Sequence, residues 1–132
     1  MIVIDASAEV AALLSAEPEA ERIRRRVARP GETLHVPHLF EIEVLHALRS
    51  LTIRATVSSG RARLALSRLR NTRLVRYPHT PLAERIWDLR DNLTAYDAAY
   101  IALAEALDAP LVTMDARLAR VPGIRAVIEI YG

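Results

Sequence analysis

Five short apolar runs, spaced by segments of helical periodicity, constrain this chain more than any other feature. They are Ile2–Ile4, Leu34–Val36, Leu74–Tyr77, Leu111–Met114 and Ile124–Ile130. Each is short and rich in β-branched or large aliphatic side chains, so each reads as a strand. Between them the periodicity predicts helices over Ala8–Ala16, Glu19–Ala28 and His38–Ile53, and another from Ser58 or Ser59 to Asn71. Thr80-Pro81 supplies an N-cap and a first-turn proline for a helix running to Arg90, and Thr94 caps one that ends near Asp108. Pro18, Pro30-Gly31, Pro37, Pro110 and Pro122-Gly123 mark the breaks. Strands alternating with helices predict an α/β fold, with a mainly parallel sheet of about five strands flanked by helices on both faces. The 132 residues suit a single domain, 1–132, and no repeat or linker divides it.

Composition narrows the chemistry. There is no cysteine, which removes disulfides, thiolate zinc sites and thiol nucleophiles and fits a reducing, cytoplasmic setting. All 18 basic residues are arginine. Without lysine there is no P-loop lysine, Schiff base or Ser-Lys dyad. The four glycines are far apart, so no glycine-rich loop can cradle a phosphate, and His35, His38, His46 and His79 form no metal-binding spacing. No signal peptide or membrane span is visible. Between Glu43 and Glu84 no acid occurs, while Arg49, Arg54, Arg61, Arg63, Arg68, Arg70, Arg73 and Arg76 do. That segment either attracts a polyanion or acidic partner, or is a solvated face balanced by acids from elsewhere. Aromatic residues are scarce. Nucleic-acid binding would therefore rest on arginine–phosphate contacts, and Tyr96 and Tyr100 read as packing residues.

The acids fall where such a fold builds sites. Open parallel sheets bind ligands at the carboxyl ends of their strands, and Ile2–Ile4 and Leu111–Met114 run straight into Asp5 and Asp115. Each also has a local role open to it, as a helix cap for Asp5 and an Asx-turn for Asp115. Asp97 stands in Thr94-x-x-Asp97, which has capping-box spacing. On the helix His38–Ile53, Phe40, Val44, Ala47, Leu48 and Leu51 form one stripe, with Glu41 on one flank and Glu43 on the other. Periodicity does not choose between them, and Arg49 or Arg54 could pair with Glu43. Carboxylates gathered at one sheet edge cannot all ionise near neutral pH without cations between them. Oxygen-only donors suit Mg²⁺ or Mn²⁺, one or two of which can activate water for phosphoryl displacement.

The blocks Ile2-Val3-Ile4-Asp5-Ala6-Ser7, Pro37-His38-Leu39-Phe40-Glu41-Ile42-Glu43-Val44-Leu45-His46-Ala47-Leu48-Arg49, Leu93-Thr94-Ala95-Tyr96-Asp97-Ala98-Ala99-Tyr100 and Leu111-Val112-Thr113-Met114-Asp115 follow in the order found in PIN domains. More narrowly, the sequence resembles the VapC toxins of VapBC toxin–antitoxin pairs. The resemblance implies a PIN-like fold and a Mg²⁺- or Mn²⁺-dependent endoribonuclease. By position it selects Asp5, Glu43, Asp97 and Asp115 as the catalytic and metal-binding acids, and places Ser7 and Thr113 beside them to orient a carboxylate or a water. In this scheme Asp5 and Asp97 anchor the ion, Glu43 helps hold it or orients water, and Asp115 completes the pocket or holds a second ion. The family further implies an RNA substrate, a homodimer and a VapB-like antitoxin. Arg49, Arg54 and Arg61 are the candidates for holding the RNA backbone. The other readings are a catalytically silent dimer that binds RNA or an antitoxin, and a nuclease of the same superfamily acting on DNA.

Overall fold

A computed structural model describes residues 1–132. Its five strands are β1 (Ile2–Ile4), β2 (Leu34–Pro37), β3 (Leu74–Tyr77), β4 (Leu111–Thr113) and β5 (Ile128–Ile130). They form one parallel sheet in the order β3-β2-β1-β4-β5. Val3 lies in register with His35 on one side and Leu111 on the other, so β1 is central. The helices are α1 (Ala6–Leu14), α2 (Pro18–Val27), α3 (Phe40–Ile53), α4 (Ser59–Asn71), α5 (Ala83–Asp88) and α6 (Ala95–Leu107). Successive strand side chains point to opposite faces, yet all three residues of β1 and of β4 are buried. Both faces are therefore covered. α6 lies across β1, β2 and β4, while α1 packs on β4 with α2, α3 and α4 around it. No helix is long and apolar enough to cross a membrane.

Three local expectations need correcting. The helix expected from His38 begins at Phe40, because the His38 N–H still donates to the Tyr77 carbonyl as part of the sheet ladder. The single helix expected from Thr80 to Arg90 is a 3₁₀ turn, Thr80–Leu82, followed by the short α5. Pro81 does sit in the first turn, but the turn closes tightly through Leu82 N–H to His79 O, and Thr80 makes no side-chain cap. The fifth strand is only Ile128–Ile130.

The chain leaves β1 and β4 at the same sheet edge, and each exit is capped by an acid. Asp5 is the N-cap of α1, and Asp115 caps a 3₁₀ turn over Ala116–Arg120. α6 starts at its own cap, Thr94, and presents Asp97 in its first turn. It closes at Asp108 in a left-handed conformation that aspartate tolerates.

Candidate active site

Asp5 is 7% exposed and nearly saturated with donors. Its Oδ1 accepts the Ala8 N–H at 2.9 Å and the Ser7 hydroxyl at 2.6 Å, and its Oδ2 accepts the Thr113 hydroxyl. The two hydroxyls also tie the exits of β1 and β4 together. Ser7 Oγ accepts the Met114 N–H at 3.1 Å, and Thr113 Oγ1 accepts the Asp115 N–H at 3.0 Å. Thr113 is wholly buried, so it has no alternative partner in solvent. Ser7 and Thr113 thus fix both oxygens of Asp5 and the backbone around it.

The choice between Glu41 and Glu43 has a geometric answer. Glu41 turns outward and pairs with Arg76 of β3. Glu43 turns inward and accepts the Tyr100 hydroxyl from α6 at 2.6 Å. Neither Arg49 nor Arg54 pairs with it. Tyr100 is a partner of Glu43 that the sequence did not reveal. It packs, as expected, at 2% exposure, but its hydroxyl also orients Glu43. Tyr96 departs from expectation, since it is 64% exposed and stands outside the core.

Asp97 is half-buried, and its N–H donates to Thr94 Oγ1, one half of the capping box. Asp115 takes the Asx-turn role by accepting the Arg117 N–H at 2.9 Å, and it also receives that residue's guanidinium. Arg117 had no place in the sequence reading, because an exposed arginine two residues past an acid carries no distinctive signal.

Electrostatics links the four acids. Burial pushes the Asp5 carboxyl above its ordinary range, and the charge of Asp97 adds to this against the lowering effect of Ser7, Thr113 and Ala8. Glu43 is raised by burial and by the charges of Asp97 and Asp5, with Tyr100 opposing. Asp97 is raised by burial and by Asp115, with Arg117 and Thr94 opposing. Asp115 is the exception, because the hydrogen-bonded Arg117 guanidinium holds it low. Three partly buried carboxylates therefore stand within electrostatic reach of one another, with no cation hydrogen-bonded to any of them.

A family model for the PIN domain matches residues 2–124. The chain is 48% identical over 118 residues to VapC ribonuclease Mb0985 of Mycobacterium bovis, covering 89% of this chain and 88% of that one. The chain belongs to the VapC ribonucleases of the PIN domain family. It is also 45% identical over 129 residues to ribonuclease VapC1 of Mycobacterium tuberculosis, covering 97% and 96% of the two chains. Its fold matches the crystal structure of VapBC2 from Rickettsia felis bound to a promoter DNA fragment, with a TM-score of 0.70, 16% identity and 98% of each chain covered.

VapC ribonucleases are metal-dependent, and the donors of this chain fit that chemistry. They are carboxylates and hydroxyls only, and hard divalent cations prefer such oxygen ligands. Their mutual repulsion is the kind a cation relieves. As the side chains stand, no three acids or histidines are drawn together at ligand distance. Asp5 and Glu43 are locked by their hydrogen bonds, so gathering a ligand set falls to the half-buried Asp97 and to Asp115, which would first have to leave Arg117.

The arginines expected to hold RNA lie away from this edge. Arg49 and Arg54 are about 9 and 16 Å along α3 from Glu43, at 1.5 Å per residue. Arg61 donates to the Leu14 carbonyl at the end of α1 at 2.8 Å. Of the eight arginines between 49 and 76, only Arg76 finds a carboxylate, so balance by acids elsewhere in the chain does not describe this segment.

Proposed function

We propose that the chain is the toxin of a toxin–antitoxin pair and hydrolyses RNA phosphodiester bonds at the acidic edge formed by β1, β4, α3 and α6. The observation that carries this is the group of three uncompensated acids, Asp5, Glu43 and Asp97, each raised by burial and by its neighbours. Asp5 and Asp97 would hold a Mg²⁺ or Mn²⁺ ion, Glu43 would help hold it or orient water, and Asp115 would complete the pocket. When bound, a divalent ion acidifies water and offsets the charge of the phosphate oxygens. The chain's own contribution is positional. Ser7 and Thr113 aim the Asp5 oxygens, and Tyr100 keeps Glu43 turned inward, as outer partners of metal ligands do.

A homodimer and an antitoxin complete the reading. α3 is apolar on its outer side as well, with Ile42 69% and Ile53 66% exposed, which suits burial against another chain. Arg49, Arg54 and their neighbours remain free for RNA or for an acidic partner. The test is digestion of RNA and of single-stranded DNA side by side, with Mg²⁺, with Mn²⁺ and with chelator. The expected result is RNA cleavage that stops with chelator and in Asp5→Asn, Glu43→Gln and Asp97→Asn. Cleavage that persists in chelator overturns the metal-dependent reading, and cleavage of DNA alone overturns the RNA reading.

A further inference from the structure

A second concentration of like charge lies on α2, outside the segment where the sequence drew attention to arginine. Arg22, Arg25 and Arg26 of α2 and Arg29 just beyond it recur at helical spacing. Together with Tyr131 they line a concavity of 260 Å³. Arg26 forms its floor. It is buried, donates through Nε to Glu129 of β5 at 2.8 Å and is paired with Glu32, so its position is fixed. Arg25 shares the exposed Glu21 with Arg24. Arg22 has no carboxylate partner. Its guanidinium instead stands 5.1 Å from the centre of the Tyr131 ring. Arg29 is exposed, has no ion pair and is close enough to act on the Tyr131 hydroxyl.

The place of Tyr131 gives this groove its meaning. Tyr131 follows β5 at the sheet edge where the acids gather, and its N–H donates to the carbonyl of Thr113 at 3.0 Å. Thr113 is the residue whose hydroxyl holds Asp5. One end of the groove therefore lies beside the acidic edge, and the groove runs from there along α2 for about 10 Å at 1.5 Å per residue. A polyanion lying across the acids is repelled on either side of any bound cation. Past β4, the arginines of α2 can hold its next phosphates. Guanidinium forks suit phosphate oxygens. Apart from Tyr131 the groove is lined only by arginine, so it offers charge rather than apolar pockets for the side chains of a peptide.

We propose that this groove holds the phosphodiester backbone of the RNA strand next to the cleaved bond. The proposal rests on the ribonuclease reading of the acidic edge. The test uses the full chain and a fluorescein-labelled single-stranded RNA, followed by anisotropy in chelator across a series of salt concentrations. In Arg22→Ala/Arg29→Ala the affinity should fall roughly tenfold, and the dependence of log K on log salt should flatten by about 1.4, since each phosphate contact to a single strand contributes about 0.7. If the double variant melts early, the exposed Arg29→Ala alone should flatten the slope by about 0.7. An unchanged affinity and slope, in a wild type that cleaves RNA, overturns the groove alone. A wild type that neither binds nor cleaves RNA overturns the ribonuclease reading and the groove with it. Retained RNA binding with loss of binding to poly-L-glutamate assigns the groove to an acidic polypeptide and overturns the proposal.

Discussion

Glu32 and Asp5 are both largely buried carboxylates near the ends of the same sheet, and the fold treats them in opposite ways. Burial alone would push Glu32 up, but the amino group of Met1, the Arg26 guanidinium and the Thr33 N–H overcome it and bring its pKa down to about 2. Glu105 follows the same pattern, with Arg85 and the Arg125 N–H outweighing its burial. Asp5, Glu43 and Asp97 receive hydroxyl and amide donors but no cation, and all three stay raised. This chain has 18 arginines to spend. It places them against acids such as Glu32 and Glu105, which join elements, and pairs none with Asp5, Glu43 or Asp97. The missing charge is therefore specific to one place, and an external divalent ion would restore it.

The strongest way to break this comparison is to neutralise each kind of acid cluster in turn. Asp5→Asn and Asp97→Asn should reduce RNA cleavage by more than the roughly 10–100-fold that loss of an outer partner costs. The fold should survive, and metal-free Asp97→Asn should gain stability. A carboxyl raised in the folded state binds its proton more tightly there than in the unfolded chain. Its ionised form therefore costs stability as pH rises through the window above the ordinary aspartate value of 3.8. Removing that charge at neutral pH should raise the melting temperature of the chelated protein. A lower melting temperature for Asp97→Asn would mean the carboxylate is structural. Arg26→Met should do the reverse. It leaves Glu32 and Glu129 without their shared cation and should lower stability by roughly 3 kcal/mol in denaturant unfolding. Glu32 is depressed, so its contribution is complete above 4.5 and is lost as pH falls towards about 2. An acid titration of the wild type should show that loss, and Arg26→Met should flatten it.

Tyr100→Phe sharpens the comparison within the acidic edge. The hydroxyl is the one group that lowers Glu43 against burial and two neighbouring charges. Removing it should reduce cleavage by roughly 10–100-fold and move the acid limb of the pH–rate profile upward. An unmoved acid limb would place the titration that controls activity on another residue.

How far the sequence discloses all this depends on the distance over which each signal acts. The strands and the acids that follow β1 and β4 are local patterns, and their order along the chain is enough to set them on one edge of a parallel sheet. Glu41 and Glu43 could not be separated locally, because both flank the same apolar stripe. What separates them is Arg76, 35 residues away, and Tyr100, 57 residues away. Ser7 and Thr113 were found by likeness to a family. Their physical role, stapling two strand exits across 106 residues of chain, belongs to the folded state. The arginines of α2 carry no local signal for a related reason. Glu17, Glu19 and Glu21 precede them and make the helix read as balanced, whereas in the structure Glu21 takes up only Arg24 and Arg25.

Asp115 crosses the line between the two kinds of acid and supports the smallest prediction. By position it belongs to the acidic edge, where its charge raises Asp97. By environment it is compensated, held low by Arg117. That arginine is 82% exposed, so the pair contributes little to the fold and Arg117→Ala should leave the melting temperature unchanged. Its effect should appear in titration. Without the guanidinium, Asp97 loses an opposing charge and Asp115 loses its main hydrogen-bond donor, so both carboxyls rise and the acid limb of the pH–rate profile moves slightly upward. If Asp115 joins the metal ligands, the same change also frees its oxygens, and less Mg²⁺ should be needed for half-maximal cleavage at neutral pH. If Asp115 only shapes the turn after β4, the Mg²⁺ requirement should stay at the wild-type value, and Asp115→Asn should lose far less activity than Asp97→Asn.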